Sequence, residues 1–460
     1  MLQARAAALS VLAILGVSDA GVAQTVAPFN PLISGAPPGL YGVYGPSGAP
    51  SIVNEPGTVT AYIRGRLYFD AAILGDSADR VAGKSAPFTI GTAGRLYWGF
   101  AGTTAQGLTY GAYMDTRSNA GGATASGNTG AATLRYYRAV GYVGGGWGTF
   151  RFGASDDPIQ LLMTGTFDSI YDSAWNGDLV SLVHSSTTVN WPFDANSGTY
   201  ANPKLVYMSP RWGGFDFGIG YQPSSNGVSY PQTATAGTGD PRNISITTGT
   251  FVANAGNAGL RRERDLLTAA ARYAGAIGQV GVVIEGGVAA GNTVRNGGLT
   301  GLTASGAAQY RYRSPLAFDA GIMFKYQGFA VGGHFVTGAI NPNGSNNLMP
   351  VAQGKGGTTA FVVGASYVTG AWGFSTSFLN SLTPGAYAED YAGPGTFGKR
   401  REMGAVVSVA YGWAPGANLS LSYEYGTRRQ TGYNFYADAR GTTGNNTKAQ
   451  GLILTNIFQW

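Results

Sequence analysis

The sequence contains no cysteine and few charged residues. Charged side chains make up 11% of the 460 residues, whereas a typical soluble domain has about 25%. The absence of cysteine excludes disulfides and metal–thiolate sites. No apolar run of about 18 residues follows the N-terminal region, which excludes membrane-spanning helices. These absences exclude thiol chemistry and a helical membrane protein, and they argue against an ordinary soluble domain.

The chain is rich in glycine and aromatic residues. It has 74 glycines, 27 tyrosines and 21 phenylalanines. Low charge together with this composition favours membrane β-structure over a soluble enzyme. The net charge is +6, but the basic residues are scattered singly or in pairs. The charge therefore indicates no nucleic-acid partner.

The N-terminal region has the pattern of a secretory signal. Arg5 supplies the positive start, residues 6–17 form an apolar stretch, and a small-residue cleavage site ends at Ala23. We therefore predict a signal peptide over residues 1–23 and a mature start at Gln24. Residues 24–57, rich in Pro and Gly, are predicted to be an irregular extension, and residues 58–460 to be the folded domain.

Residues 61–70 alternate strictly between two kinds of side chain. The odd positions carry Ala, Ile, Gly, Leu and Phe, and the even positions carry Tyr62, Arg64, Arg66, Tyr68 and Asp70. A β-strand places alternate residues on opposite faces. The pattern predicts a strand with one face suited to lipid and the other suited to water.

About sixteen such segments follow one another, and short and long connections alternate between them. The long connections lie near residues 71–88, 118–131, 154–203, 223–263, 291–314, 339–357, 381–400 and 429–446. Outer-membrane barrels have short periplasmic turns and long external loops. The sequence therefore predicts an all-β fold, a transmembrane antiparallel β-barrel of about 16 strands.

The third long connection, residues 154–203, differs from the others. It carries apolar patches at 159–163 and 179–183, which a fully solvated loop does not need. The segment also holds five acids, Asp156, Asp157, Asp168, Asp172 and Asp178. We predict that this segment folds into the barrel, where its apolar residues contact the inner wall and its acids face water in a narrowed hole.

These features resemble the trimeric general-diffusion porins of Gram-negative outer membranes. The resemblance spans residues 57–460 and rests on residues 59–66, on residues 151–153 leading into residues 156–158, and on the terminal aromatic Trp460. It implies a homotrimer whose third loop narrows the pore. It also implies that the acidic loop faces a basic wall formed by Arg64, Arg66, Arg95, Arg135 and Arg151. The extension at 24–57 and the terminal Trp depart from the family pattern.

Arg138 is the exception to the predicted pattern. It falls in the lipid-facing register of its strand, where an arginine at the middle of the membrane costs about 2–4 kcal/mol. A β-bulge in this strand and a position near the membrane rim are two explanations that the sequence leaves open.

The resemblance implies passive diffusion of ions and small hydrophilic solutes across the outer membrane, with no cofactor and no metal. A channel selective for a sugar or an anion is the alternative, with Tyr62, Tyr68, Tyr97, Tyr113 and Tyr137 as candidate lumen aromatics. An outer-membrane enzyme is a distant alternative, because its only histidines are His184 and His334 and neither belongs to a Gly-x-Ser-x-Gly motif. The expected partners are outer-membrane lipid and lipopolysaccharide, the latter through residues 261–264 and 399–401. Ion preference stays open.

Overall fold

The computed structural model describes residues 55–80, 87–118, 134–164, 202–224, 263–293, 312–342, 350–388, 391 and 394–460. The predicted signal peptide and most of the predicted extension lie outside the described residues and stay predictions. The same holds for residues 165–201 of the third long connection.

The described part of the chain is built almost wholly from β-strands. In chain order they are β1 (Val59–Asp76), β2 (Phe88–Thr103), β3 (Thr109–Ser118), β4 (Leu134–Gly145), β5 (Gly148–Ser155), β6 (Asn202–Met208), β7 (Phe215–Ser224), β8 (Glu263–Ile277), β9 (Val280–Thr293), β10 (Leu316–Tyr326), β11 (Phe329–Gly338), β12 (Thr358–Thr369), β13 (Trp372–Thr383), β14 (Arg400–Ala414), β15 (Ala417–Arg429), β16 (Tyr433–Asn434), β17 (Ala439–Arg440) and β18 (Asn446–Gln459). A 3₁₀ turn covers Ser77–Arg80, and one short helix, α1, covers Pro158–Leu162. No helix among the described residues is long and apolar enough to span a membrane.

Sixteen of the described strands form one closed antiparallel barrel. Neighbours in sequence are neighbours in the wall from β1 to β15, and β18 pairs with both β15 and β1 to complete the circle. β16 and β17 form a separate two-stranded sheet. The predicted fold class and strand number are confirmed.

The two faces of each strand differ as the alternation predicts. In β15 the apolar side chains that point outward are exposed, namely Leu419, Leu421 and Tyr423. Those that alternate with them are polar and buried, namely Ser420, Ser422 and Glu424. A soluble barrel buries its apolar face, whereas this barrel exposes it. The outer surface is therefore suited to lipid.

Aromatic side chains gather on the outer surface near the short turns. Trp147 stacks on Tyr207 with ring centroids 6.4 Å apart, and Phe329 stacks on Tyr367 at 4.2 Å. Such rings collect where a membrane meets water, because one end of the side chain is apolar and the other is polar. The short-turn end of the barrel therefore carries one aromatic girdle.

Connection lengths follow the predicted alternation, with one correction to a boundary. β1 extends to Asp76, beyond the predicted start of a loop near residue 71, because Ile73 still pairs with Phe88 of β2. The last long connection, predicted near residues 429–446, contains β16 and β17. Tyr433 and Phe435 there pack with Ala386 in a small buried cluster.

Candidate functional site

Four arginines occupy one cross-strand row on the first four strands. Arg66 of β1 pairs with Arg95 of β2, Arg95 pairs with Arg117 of β3, and Arg117 pairs with Arg135 of β4. Neighbouring strands lie about 4.8 Å apart, so the row brings four basic residues onto one arc of the wall. Arg117 was missed from the sequence. It continues the alternation of Tyr113 and Asp115 along β3, so the period of two could have identified it.

The arginines of β1 and β2 stand beside tyrosine rings. The guanidinium of Arg66 lies 4.5 Å from the centre of the Tyr68 ring, and that of Arg95 lies 5.7 Å from the same centre. Arg64 lies 5.8 Å from the Tyr62 ring. Arg66 is 3% exposed, whereas Arg64 and Arg95 are half-buried. Arg64 and Arg95 therefore present more of their charge to the interior than Arg66 does.

A β-bulge explains the position of Arg138. Asp115 of β3 pairs with Arg138 of β4, but the next residue, Thr116, pairs with Tyr136, so Tyr137 is an extra residue in β4. A bulge of this kind shifts all later residues by one position. Arg138 thereby takes the buried register of Val140. The lipid-facing position expected for Arg138 is wrong, and the bulge is the correct one of the two explanations.

Arg138 is buried between two carboxylates. Its Nη1 donates to Oδ2 of Asp115 at 2.7 Å, and its Nε and Nη2 both donate to Asp156, each at 2.9 Å to their nearer oxygen. All three side chains are at most 2% exposed. The charge of Asp156 is thus matched by a wall arginine that was not among the candidates.

Arg151 and Asp157, both sequence candidates, are also buried. Nη2 of Arg151 donates to the hydroxyl of Tyr113 at 2.9 Å. Asp157 caps the N-terminus of α1, where its Oδ1 accepts from the backbone N–H of Gln160 at 3.1 Å. Burial raises the pKa of Asp157 to about 7, a shift that nearby Lys204 opposes.

α1 packs against the inner face of the barrel. Its residues are buried and contact β6 to β9. A Cβ on Gly220 would lie 2.8 Å from Cδ of Pro158, and a Cβ on Gly287 would lie 2.9 Å from Cγ1 of Ile159. These glycines lie on the face opposite the exposed apolar belt. The glycines therefore leave the space on the inner wall into which the first part of the predicted inserted segment packs.

The end of this described segment is anchored on β10 and β11. The carbonyl oxygen of Thr164 lies 2.8 Å from Nδ1 of His334. A Cβ on Gly321 would overlap that carbonyl oxygen. In the strand register Gly321 lies between Glu285 and His334. The wall thus has a notch at Gly321 into which the backbone of the segment fits.

The remaining candidates have no described side chains. Asp168, Asp172 and Asp178 lie outside the described residues, and Arg135 is described only by its backbone register. Of the ten predicted site residues, the structure therefore brings Asp156 and Asp157 to the wall near Arg138 and Lys204, and it puts Arg66, Arg95 and Arg135 in one row.

A closed barrel with an apolar outer belt and a polar inner face is a multi-pass outer-membrane β-barrel that forms a channel. A sequence model of the Gram-negative porin family matches residues 45–431, and the chain belongs to this family. A comparison with curated proteins found no match.

Similar solved structures carry the same fold. One is described as the anion-selective porin from Comamonas acidovorans. It has 12% identity and a TM-score of 0.54, with 88% of this chain and 100% of that chain covered. Another is the trimer form of in-vitro folded OmpT from Vibrio cholerae, at 11% identity and a TM-score of 0.50, with 88% and 100% covered. At these identities the likeness concerns the fold alone.

Proposed function

We propose that this porin is a passive, water-filled channel for ions and small hydrophilic solutes that favours anions at its narrowest part. The row from Arg66 to Arg135 carries the proposal. Rings and arcs of charge on a pore wall set its ion preference. Four positive residues on one arc lower the energy of an anion that passes them.

The acids near this arc support the same sign of preference. Asp115 and Asp156 share the guanidinium of Arg138, so one of their two negative charges is compensated by a partner within the wall. Asp157 lies beside Lys204 and has a raised pKa. All three acids are buried, so none of them presents an exposed carboxylate to the lumen.

The constriction is proposed to be the segment 154–203. The docking of α1 against the wall and the contact between Thr164 and His334 support this assignment. In this proposal Asp168, Asp172 and Asp178 form the acidic side of the opening. The transverse field between these acids and the arginine row then orients polar solutes and slows apolar ones.

A sugar-selective channel is less well supported. Tyr97 and Tyr113 pack with Tyr142 and Val140 in one buried cluster, and each is at most 3% exposed. A sugar slide requires ring faces open to the lumen, so these tyrosines act in packing. An enzyme is equally weakly supported, because His334 is buried and bonded to the loop backbone. We therefore propose a non-enzymatic channel.

The working assembly is proposed to be a homotrimer in the outer membrane that contacts lipid and lipopolysaccharide. Arg401 is an exposed basic residue at the loop end of β14 and is suited to lipid phosphate. Arg400 is not, because it is buried against the rings of Tyr433 and Phe435. Light scattering of the purified protein in detergent tests the trimer directly.

The reversal potential in planar bilayers under a salt gradient tests the channel and its preference. The wild-type channel is expected to conduct at low voltages of either sign. Its reversal potential should have the sign of an anion-selective channel. Replacing Arg64 and Arg66 with Ala should move the reversal potential toward cations. The matched control is Arg313→Ala, an exposed arginine in a long connection that donates to Lys355 O, which should leave it unchanged.

Three results contradict the proposal. A barrel without conductance is a structural protein, and an unchanged reversal potential in the double variant removes Arg64 and Arg66 from the ion path. Saturable block by one sugar identifies a selective channel. Liposome swelling with sugars of graded size separates this last case from general diffusion.

A further inference from the structure

Three side chains that can bind a metal converge under the described end of the inserted segment. Glu285 of β9, Asp319 of β10 and His334 of β11 each offer one ligand atom, and these atoms lie within 4.8 Å of one another. All three side chains are at most 5% exposed. The transport proposal uses His334 only as a contact for the Thr164 carbonyl and does not use the two carboxylates.

The contact with Thr164 defines the tautomer of His334. A carbonyl oxygen only accepts hydrogen bonds, so the 2.8 Å contact with Thr164 requires the proton on Nδ1 of His334. In the neutral ring Nε2 then carries a lone pair, and Oδ2 of Asp319 lies 3.4 Å from it. Two ligands of a tetrahedral metal with bonds of about 2.1 Å lie about 3.4 Å apart. The spacing between Nε2 and Oδ2 therefore fits a shared metal.

The two carboxylates also call for a positive partner. Glu285 and Asp319 are both buried and lie side by side, and Glu285 also contacts the backbone of Thr164. Arg272 pairs with Glu285 in the strand register and its charge acts on that carboxylate, but its guanidinium is shared with Asp216, with an Nη2–Oδ2 distance of 2.6 Å. Burying carboxylates costs free energy unless a cation or a proton compensates them.

We propose that Glu285, Asp319 and Nε2 of His334 bind one divalent transition-metal cation of the Zn²⁺ type. An imidazole ligand favours Zn²⁺ over Mg²⁺ and Ca²⁺, which prefer oxygen ligands only. Metal-binding histidines commonly donate their other N–H to a carbonyl group, which fixes the ring. Here that carbonyl belongs to Thr164, so the cation also holds the inserted segment against the wall.

Zinc titration by calorimetry on the untagged, folded protein in detergent at pH 7.5, after chelator treatment, tests the site. We expect one Zn²⁺ per chain. His334→Gln, which keeps an amide donor for Thr164, and Asp319→Asn should each weaken the affinity by at least about tenfold. His184→Gln removes the only other histidine of the chain and should leave the affinity unchanged. Co²⁺ should give an absorption spectrum of mixed nitrogen and oxygen coordination in the wild type only.

Several outcomes overturn the proposal. One is the absence of stoichiometric Zn²⁺ binding. That result would mean that protons, and not a metal, compensate the two carboxylates. Another is equal affinity of the wild type and His334→Gln, and a third is binding of Ca²⁺ as tight as that of Zn²⁺. Heat-modified mobility in gels verifies that each variant is folded, and Asp319→Asn decides the matter if His334→Gln does not fold. The titration measures no ion flux, so its failure leaves the proposed channel function unaffected.

Discussion

The carboxylate of Asp156 is held by Nε and Nη2 of Arg138, with the shorter Nε–Oδ2 and Nη2–Oδ1 distances both 2.9 Å. Arg138 belongs to β4, and Asp156 begins the connection that follows β5. This pair therefore fixes the direction in which the inserted segment leaves the wall. The β-bulge at Tyr137 makes the pair possible, because without it Arg138 would point toward lipid.

Removing the arginine should destabilise this part of the barrel. Arg138→Ala leaves Asp115 and Asp156 buried with their shared cation gone, and breaking a buried pair from one side costs about 3–5 kcal/mol. Urea unfolding in lipid vesicles measures the change. Arg401→Ala removes an exposed arginine that contacts Asn380 and should change the unfolding free energy by less than about 1 kcal/mol. Equal changes in unfolding free energy for the two substitutions would show that the buried Arg138 pairs stabilise the barrel no more than an exposed arginine does.

The notch at Gly321 gives a steric test of how the segment docks. Gly321→Ala places a methyl group where the Thr164 carbonyl now lies, and overpacking of this kind costs about 1–3 kcal/mol. Because the segment must move, single-channel conductance should change as well. Gly146→Ala is the matched control, since no atom lies within 4 Å of the added Cβ. An unchanged conductance in Gly321→Ala would mean that docking of the segment at Gly321 does not affect the width of the channel.

Strand number, facing and loop alternation were predictable because they are local. The ten residues from Ala61 to Asp70 already display a period of two, and a period of two in a charge-poor chain leaves few folds. The sequence placed the C-terminal residue Trp460 on the last strand, but it did not predict which residue Trp460 contacts. It packs over Gly65 and exchanges backbone hydrogen bonds with it at 3.1 Å.

Asp157 should make the stability of the barrel depend on pH. Burial raises its pKa from the usual 3.8 to about 7. A carboxyl with a pKa higher in the folded than in the unfolded chain stabilises the fold while it is protonated. This contribution is fully present below about pH 4 and is lost as the pH rises to about 7.

Asp157→Asn tests this dependence, because Asn still caps α1 but does not titrate. The difference in unfolding free energy between wild type and variant should shift in favour of the variant from pH 4 to pH 8. Urea midpoints at both pH values measure the difference. A constant difference over this range would mean that Asp157 is ionised throughout.

Gln430 joins three parts of the outer loops. Its Nε2 donates to the carbonyl oxygens of Ala386 at 2.8 Å and Gly398 at 2.9 Å, and its Oε1 accepts from Arg400 at 3.2 Å. The side chain is fully buried. Gln430→Ala leaves buried polar groups without partners, at about 1–3 kcal/mol for each.

The variant should open the loops without unfolding the barrel. We expect faster cleavage by added protease in the connections that flank β14 and an unchanged conductance of the open channel. Gln450→Ala is the control, because Gln450 is exposed and its Oε1 accepts from the Tyr423 hydroxyl at 3.1 Å. An unchanged cleavage rate in Gln430→Ala would mean that the packing of Tyr433 and Phe435 is sufficient to hold the loops.

The candidate site was harder to predict than the fold for the same physical reason. Arg138 contacts residues 23 and 18 positions away, and the direction of its side chain depends on one extra residue in β4. The row from Arg66 to Arg135 depends on three separate strand registers. The sequence supplies the arginines, but only the pairing of the strands places them opposite one another.

The join between β1 and β18 has a kinetic consequence. Arg66 pairs with Gln459, so this contact closes a loop that contains nearly all of the described chain. The entropy cost of closure grows with loop length, and non-local pairing slows folding. The pairing of β1 with β18 should therefore form last and set the refolding rate. Substitutions along this seam should slow the appearance of the closed form much more than equal substitutions between β12 and β13.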